Sequence, residues 1–493
     1  MLARLLWSTL ALGLLGNWLI RAEPWGINVF VGTGALTVAA AAVGPRDRIS
    51  RLLFLPLLFA LAVAWRAAPM LTVLNLLALA GTLALPVLRV GGTSLVTGRT
   101  LDYVVGGITT GLRSALGPVQ IALDDTAWPT LLHRMRRRRL SVAGLVGLLL
   151  TLPLVTMFGA LLVSADAGFE RLVGSLFDHN LEAVVSHVFG IGIMSWIACG
   201  YLIAVATGVP EPPANWRRDF RPTLGTLELG MPLGVLTALF LMFVLLQASY
   251  VFGGQDLVRE TAGLGYADYA RRGFFELVAV AVLILPVLLA ANAVVADSNP
   301  TAKRMVRTLS AMLLFLVSLI MASAIDRMRL YLDAYGLTQD RAYATAVLSW
   351  AALTIGWFSV TVLRGRGERF AFGAVASALC VLGLVNALNP DALVVRTNVE
   401  RAMAGAELDT DYLASLSADA VPALVNSLSD VDDGDACTLL EALVREAQWW
   451  EGADWRSVHL ARFRARRAVA DLGSVLDRCA GGLARRVPSA AGL

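Results

Sequence analysis

Residues Asp326 to Arg341, DRMRLYLDAYGLTQDR, decide how this chain is read. They stand between two long apolar runs and crowd charge, tyrosine and a Gly-containing turn into one short stretch. Arg327, Arg329, Tyr331, Asp333 and Tyr335 are too polar for hydrocarbon. The flanking runs therefore read as membrane spans and the stretch between them as a membrane face or a wet vestibule.

The rest of the chain has the same character. Of 493 residues, 57% are hydrophobic and only 16% charged, a composition that excludes an ordinary soluble protein. The net charge of +4 is carried almost wholly by arginines that fall between apolar runs. That distribution is a topology signal and excludes nucleic acid as a partner. Measured against the ~20 apolar residues that a spanning helix needs, about eleven runs emerge. They lie near 4–20, 27–44, 52–66, 69–88, 140–163, 183–207, 231–252, 273–294, 308–325, 342–363 and 370–388. The first, with a single Arg4 ahead of it and no A-x-A site, is expected to be a retained helix.

The arginines orient these spans. With the N-terminus in the cytoplasm, the inner loops hold Arg46, Arg48 and Arg51, the cluster Arg136 to Arg139, Arg217 and Arg218, Lys303 with Arg304 and Arg307, and Arg364 with Arg366 and Arg369. Outer loops are poorer, or balance arginine with aspartate and glutamate, which is the positive-inside pattern. The C-terminal region then lies outside the cytoplasm, where Cys437 and Cys479 could oxidise to a disulfide. The expected organisation is 1–88 as N-terminal spans, 89–139 as a cytoplasmic connection, 140–388 as the main transmembrane bundle and 389–493 as a small extracytoplasmic helical domain.

Two polar segments read in more than one way. In the connection, Leu101, Val104, Val105, Ile108, Leu112 and Leu116 recur at helical spacing, with Pro118 expected to stop the pattern. An amphipathic helix at the membrane interface is expected there. The following HRMRRRR, His133 to Arg139, is a stop signal for the next span or an anionic-lipid site. In the C-terminal region DVDDGD, Asp430 to Asp435, has its glycine one place too early for a calcium loop, so helix capping is expected and no metal site. Asp435 and Asp454 are expected to cap helices, and Ser417 and Asp419 precede a Pro422 suited to a first helical turn.

The topology places several polar stretches on the outer face. Tyr266, Tyr269, Arg271, Arg272, Arg327, Arg329, Tyr331 and Tyr335 offer phenols and guanidinium forks, groups that hold phosphate or carboxylate. Helical spacing pairs Arg327 with Tyr331, Arg329 with Asp333 and Tyr331 with Tyr335. The competing reading is interfacial anchoring. Glu276, one turn into a span, is expected to pair with Arg272 or to act as a proton-coupling or catalytic carboxylate. His187 reads as a satisfied histidine with no second metal ligand at the right spacing. The chain has no GxxxxGK[ST], HExxH or GxSxG motif and no cofactor signature.

The segments TAGLGYADYARRGFFEL at 261–277, RLYLDAYGLTQDRAYA at 329–344, NPDALVVRTNVERA at 389–402, LDTDYLASLSADAVPAL at 408–424 and DWRSVHLARFRAR at 454–466 carry a resemblance. On these residues the chain resembles an uncharacterised bacterial family of multi-pass membrane proteins, a domain of unknown function. It departs from the family pattern at Val458 and His459, where an aromatic residue and an asparagine are expected. The resemblance implies a topology and no activity. The expectation is an all-α, polytopic bundle of about eleven spans in a bacterial inner membrane, with a C-terminal helical domain. It would bind membrane lipid, an anionic small molecule or an envelope protein at an Arg/Tyr-rich vestibule. The alternative is a membrane enzyme acting on a lipid-linked substrate, with Glu276, Asp326 or Asp333 as acid or base.

Overall fold

A computed structural model describes residues 2–123, 181–208, 224–262, 274–295, 299–448 and 454–470, with positions 151, 158, 159, 162, 164–166, 472 and 479. Apart from a single Leu224–Val295 bridge, the regular elements among them are helices. They are α1 (Leu2–Ile20), α2 (Ile27–Val43), α3 (Arg46–Ile49), α4 (Phe54–Trp65), α5 (Pro69–Val90), α6 (Thr100–Leu123), α7 (Leu181–Thr207), α8 (Thr226–Ala262), α9 (Phe274–Val294), α10 (Pro300–Tyr335), α11 (Gln339–Thr361), α12 (Phe370–Leu388), α13 (Pro390–Met403), α14 (Thr410–Ala414), α15 (Val421–Ser427), α16 (Asp433–Gln448) and α17 (Leu460–Ala470).

Seven of these helices, α5 and α7 to α12, are long and apolar enough to cross a membrane. The runs expected near 4–20, 27–44 and 52–66 form α1, α2 and α4, which are apolar but shorter. The run at 140–163 and the basic cluster before it lie outside the described residues. Among the described residues seven helices meet the length requirement, and the figure of about eleven spans is not confirmed by them. A helix rises ~1.5 Å per residue, so the 36 residues of α10 extend well past a hydrocarbon layer of about 30 Å. The polar end of α10, from Asp326 onward, is the part that projects.

Helix pairs fix which ends share a face. In α1 and α7, Asn17 Nδ2 lies 2.9 Å from His187 Nδ1, and Arg21 donates to Ser186 Oγ at 2.6 Å. Gly13 faces Ser195 and Gly16 faces Met194, so the two helices run antiparallel and approach through small residues. In α9 and α10, Asn292 Nδ2 donates to Ser310 Oγ at 3.3 Å, and that register sets Glu276 level with Asp326. Together with the loop contacts, these pairs gather the ends at Ile20, Trp65, Tyr335 and Leu388 on one face. The ends at Val43, Val90 and Thr207 gather on the other, where Gly44 packs on Val205 and Gly208 on Gly91.

The segments from Asn389 onward form a helical cap on the first face. Asn389 is left-handed at φ 55° and its side chain accepts from Ala392 N, so the chain turns sharply out of α12 into α13. The cap has its own apolar core, centred on Val394, Val395, Leu413, Leu424, Leu439 and Leu440. Within it Cys437 and Cys479 are disulfide-bonded, with Cα atoms 5.6 Å apart. A second core joins α8 to α12 around Leu313, Ile320 and Phe358, and a third joins α1, α2, α5 and α7 around Leu202 and Val205.

Helix α6 differs from expectation at one end. It runs through Pro118 to Leu123, because Gly117 lets it lie directly against Gly200 of α7. Its apolar stripe, Leu101, Val104, Val105, Ile108, Leu112 and Leu116, is exposed, as a lipid-facing stripe would be.

Candidate functional site

The polar end of α10 is closed by its neighbours. Its terminal carbonyls lack intrahelical donors, and arginines supply them. Arg401 Nη2 donates to the carbonyls of Asp333 at 2.9 Å and Ala334 at 3.1 Å. Arg341 donates to the Gly336 carbonyl, and its guanidinium lies 3.9 Å from the Tyr331 ring centroid and 5.9 Å from that of Tyr335. These cations also match the negative end of the helix dipole. Gly336 takes φ 74°, and the Asn398 amide grips the next residue, accepting from Leu337 N at 3.1 Å and donating to Leu337 O at 2.7 Å.

Among the residues expected to form a vestibule, Arg327, Arg329, Tyr331, Asp333 and Tyr335 share the last turns of α10. Tyr331 and Tyr335 form the expected pair, edge to face at 5.1 Å. Arg329 does not choose the expected Asp333. Its ion pair is with Asp326 at 3.7 Å, with both side chains more than 70% exposed, and an exposed pair of that kind contributes little. Glu276 is exposed at the start of α9. Tyr266, Tyr269, Arg271 and Arg272 lie outside the described residues, and with them the expected Glu276–Arg272 pair.

The densest buried polar cluster lies elsewhere, where the cap meets the bundle. Arg66, in the short link between α4 and α5, is 5% exposed, as is Asp419 of the cap. Arg66 Nη1 lies 3.1 Å from Asp419 Oδ1, and Arg66 Nε donates to the Asn386 carbonyl at 2.7 Å. The second carboxylate oxygen accepts from the amides of Ala67 at 2.5 Å and Ala68 at 3.0 Å. Asp419 thus caps the start of α5 from 350 residues away, instead of capping its own following helix as the sequence suggested. Burial pushes its carboxyl above the usual range, and Arg66 and the two amides only partly oppose that shift. One turn away in α5 and α12, Asn75 and Asn386 exchange amide hydrogen bonds at 2.9 Å in each direction, both buried.

A second carboxylate, Asp391 of α13, is fully buried. It accepts from Gln339 Nε2 at 2.8 Å, Ser417 N at 3.1 Å and Ser417 Oγ at 2.5 Å. Gln339 N in turn donates to Tyr412 Oη at 2.8 Å. The first turn of α11 is thereby tied to the cap twice. A further seam lies over α1 and α4. Ile27 N donates to the Val458 carbonyl at 3.0 Å, and Arg456 donates to the Trp18 carbonyl at 2.6 Å while covering the Trp18 ring at 4.8 Å. His459, 5% exposed, lines the same junction beside Ala67 and Thr72.

In the sequence Arg66 is a solitary arginine between two apolar runs and Asn75 a polar interruption within one. The usable signal was their combination: a lone cation in a three-residue link, next to an amide buried in hydrocarbon. Asp391 and Asp419 carried no such signal, because each stands at or just before a helix start and looks like an ordinary capping or first-turn carboxylate. The cluster locks one body to another.

Residues 53–427 match the model of a family described as a domain of unknown function, DUF4153. The matched stretch runs from the end of the α3–α4 link through α15 and contains Arg66, Gln339, Asp391 and Asp419. No curated protein and no solved structure matches the chain.

Proposed function

We propose that this chain, which belongs to the DUF4153 family, is a non-catalytic multi-pass membrane protein that binds a lipid headgroup, a small anion or an envelope protein partner at the face carrying its helical cap. The observation behind this reading is the Arg66–Asp419 pair, which seats the cap on the ends of α4 and α5. A cap held by buried charge is a fixed part of the membrane surface. Its groups, with the polar end of α10, make up a preorganised recognition face.

Two independent features support placing that face outside the cytoplasm of a bacterial inner membrane, with the N-terminus inside. The opposite face collects Arg46, Arg48, Arg51, Arg89, Lys303, Arg304 and Arg307. The cap holds the Cys437–Cys479 disulfide, a bond that persists in oxidising compartments. In this reading Tyr266, Tyr269, Arg271, Arg272 and Glu276 join the α10 residues in one outer lobe. The rival enzyme reading is weaker, because Asp326 is already paired with Arg329 on an exposed surface.

Single cysteines at Asp326 and Glu407 test the placement with a membrane-impermeant maleimide on intact cells. Labelling at both positions agrees with it. Protection at either until the membrane is permeabilised would sink the shared outer face.

A further inference from the structure

Beside the Arg66–Asp419 seat, three links meet around a cleft of about 540 Å³. The α1–α2 link contributes Glu23, Pro24 and Trp25, the α4–α5 region Ala67 and Thr72, and the cap His459 and Arg462. The links join ends of apolar helices, so the cleft sits at the depth of lipid headgroups. Trp25 in the lining is 43% exposed, and in the adjoining seam Trp18 and Trp455, 43% and 60% exposed, are in ring contact at 5.4 Å. Tryptophan at such a depth marks the membrane–water boundary.

The lining carries both signs of charge. Glu23 offers a carboxylate and Arg462 a guanidinium, and the exposed Trp25 belongs to the same lining. His459 is 5% exposed, and its Nδ1 has no hydrogen-bond partner among the described residues. An anionic headgroup alone would leave Glu23 opposed. A group with an ammonium and a phosphate answers both charges: the ammonium for Glu23 and the tryptophan face, the phosphate for Arg462. The volume lies within the range of small-ligand sites.

We infer that this cleft binds the phosphoethanolamine headgroup of a zwitterionic phospholipid in the leaflet on the cap side. The inference rests on the reading that the cap is seated at the membrane face. It adds the ligand class and the residues that choose it.

The test is native mass spectrometry of the full chain in mild detergent, titrated separately with dioleoyl phosphatidylethanolamine, phosphatidylglycerol and phosphatidylcholine, and with chain-free glycerophosphoethanolamine. The expected result is retention of phosphatidylethanolamine about tenfold above the other two lipids, the scale of one charge-assisted contact. Glu23→Gln is expected to remove the preference over phosphatidylcholine, and Arg462→Gln to weaken all phospholipids together. Equal retention of the three lipids, preference for phosphatidylglycerol, equal binding of the chain-free headgroup, or wild-type selectivity in both variants would each overturn it. Amide exchange at Ile27, Ala67 and Ala68, whose N–H groups are held by the cap, is followed in every sample. A chain that keeps this protection but shows no lipid selectivity refutes the cleft alone. Loss of protection in the wild type would refute the seated cap.

Discussion

Arg66 Nη1 and Asp419 Oδ1 lie 3.1 Å apart across 353 residues of chain. Among the described residues neither side chain makes a second ion pair, so each is the condition for burying the other. Removing one leaves an uncompensated buried charge, which typically costs ~3–5 kcal/mol. Arg66→Met or Asp419→Leu alone is therefore expected to lower the unfolding midpoint in detergent sharply and to expose the Ala67 and Ala68 amides to exchange. The double variant is expected to recover most of the loss. Two losses that simply add would show that the pair is not coupled.

Asn75 and Asn386 make the same argument without charge. Each amide is buried and satisfied by the other. Asn386→Leu strands the Asn75 amide in an apolar setting, a penalty of ~1–3 kcal/mol. Asn75→Leu together with Asn386→Leu removes both polar groups and is expected to cost less than the more damaging single change. A double-mutant cycle on unfolding free energy reads the coupling, and a coupling near zero would mean that the amides find other partners.

His459 makes the seat sensitive to acid. Burial, then the nearby Arg462, pushes its imidazole down from 6.5 to about 4, so it stays neutral when folded. Between those values the unfolded chain takes up a proton that the folded chain refuses. Stability contributed by this group is complete above pH 6.5 and is lost as pH falls toward 4, by up to about 3 kcal/mol. Asp419 works in the opposite sense. Its raised carboxyl binds a proton more readily when folded, so its own contribution improves as pH falls through that folded value. The net acid loss is then smaller than the histidine share, and His459→Asn is expected to flatten or reverse the profile. An unchanged profile in that variant would assign the acid response to other groups.

Much of this architecture is written locally in the chain. Apolar runs with arginine between them yield α5 and α7 to α12 at nearly the expected positions, because burial in lipid and backbone satisfaction act within each run. The stripe from Leu101 to Leu116 is legible for the same reason. Tyr331 and Tyr335 are legible because a helix fixes their spacing. The junction is not legible, since Arg66, Asn75, Asn386 and Asp419 acquire their meaning only from partners more than 300 residues away, and Asp391 from Gln339 and Ser417 in other helices and links. Arg329 shows the limit even within one helix. Both Asp326 and Asp333 lie within reach, and sequence spacing alone does not rank them.

Cys437 and Cys479 connect the cap's stability to the side of the membrane on which it lies. They are 42 residues apart, and closing a loop of that size removes chain entropy from the unfolded state worth ~4 kcal/mol in the loop-entropy model. Cys437→Ser with Cys479→Ser is therefore expected to loosen α16 while leaving the bundle helices intact, read by amide exchange. The other two cysteines, Cys199 in α7 and Cys380 in α12, are free thiols within spans. Alkylation under denaturing conditions, on cells quenched at low pH, then distinguishes the orientations. A cap outside the cytoplasm gives two modified cysteines before reduction and four after it. A cap in the reducing cytoplasm gives four in both states, and that result would invert the topology read from the arginines.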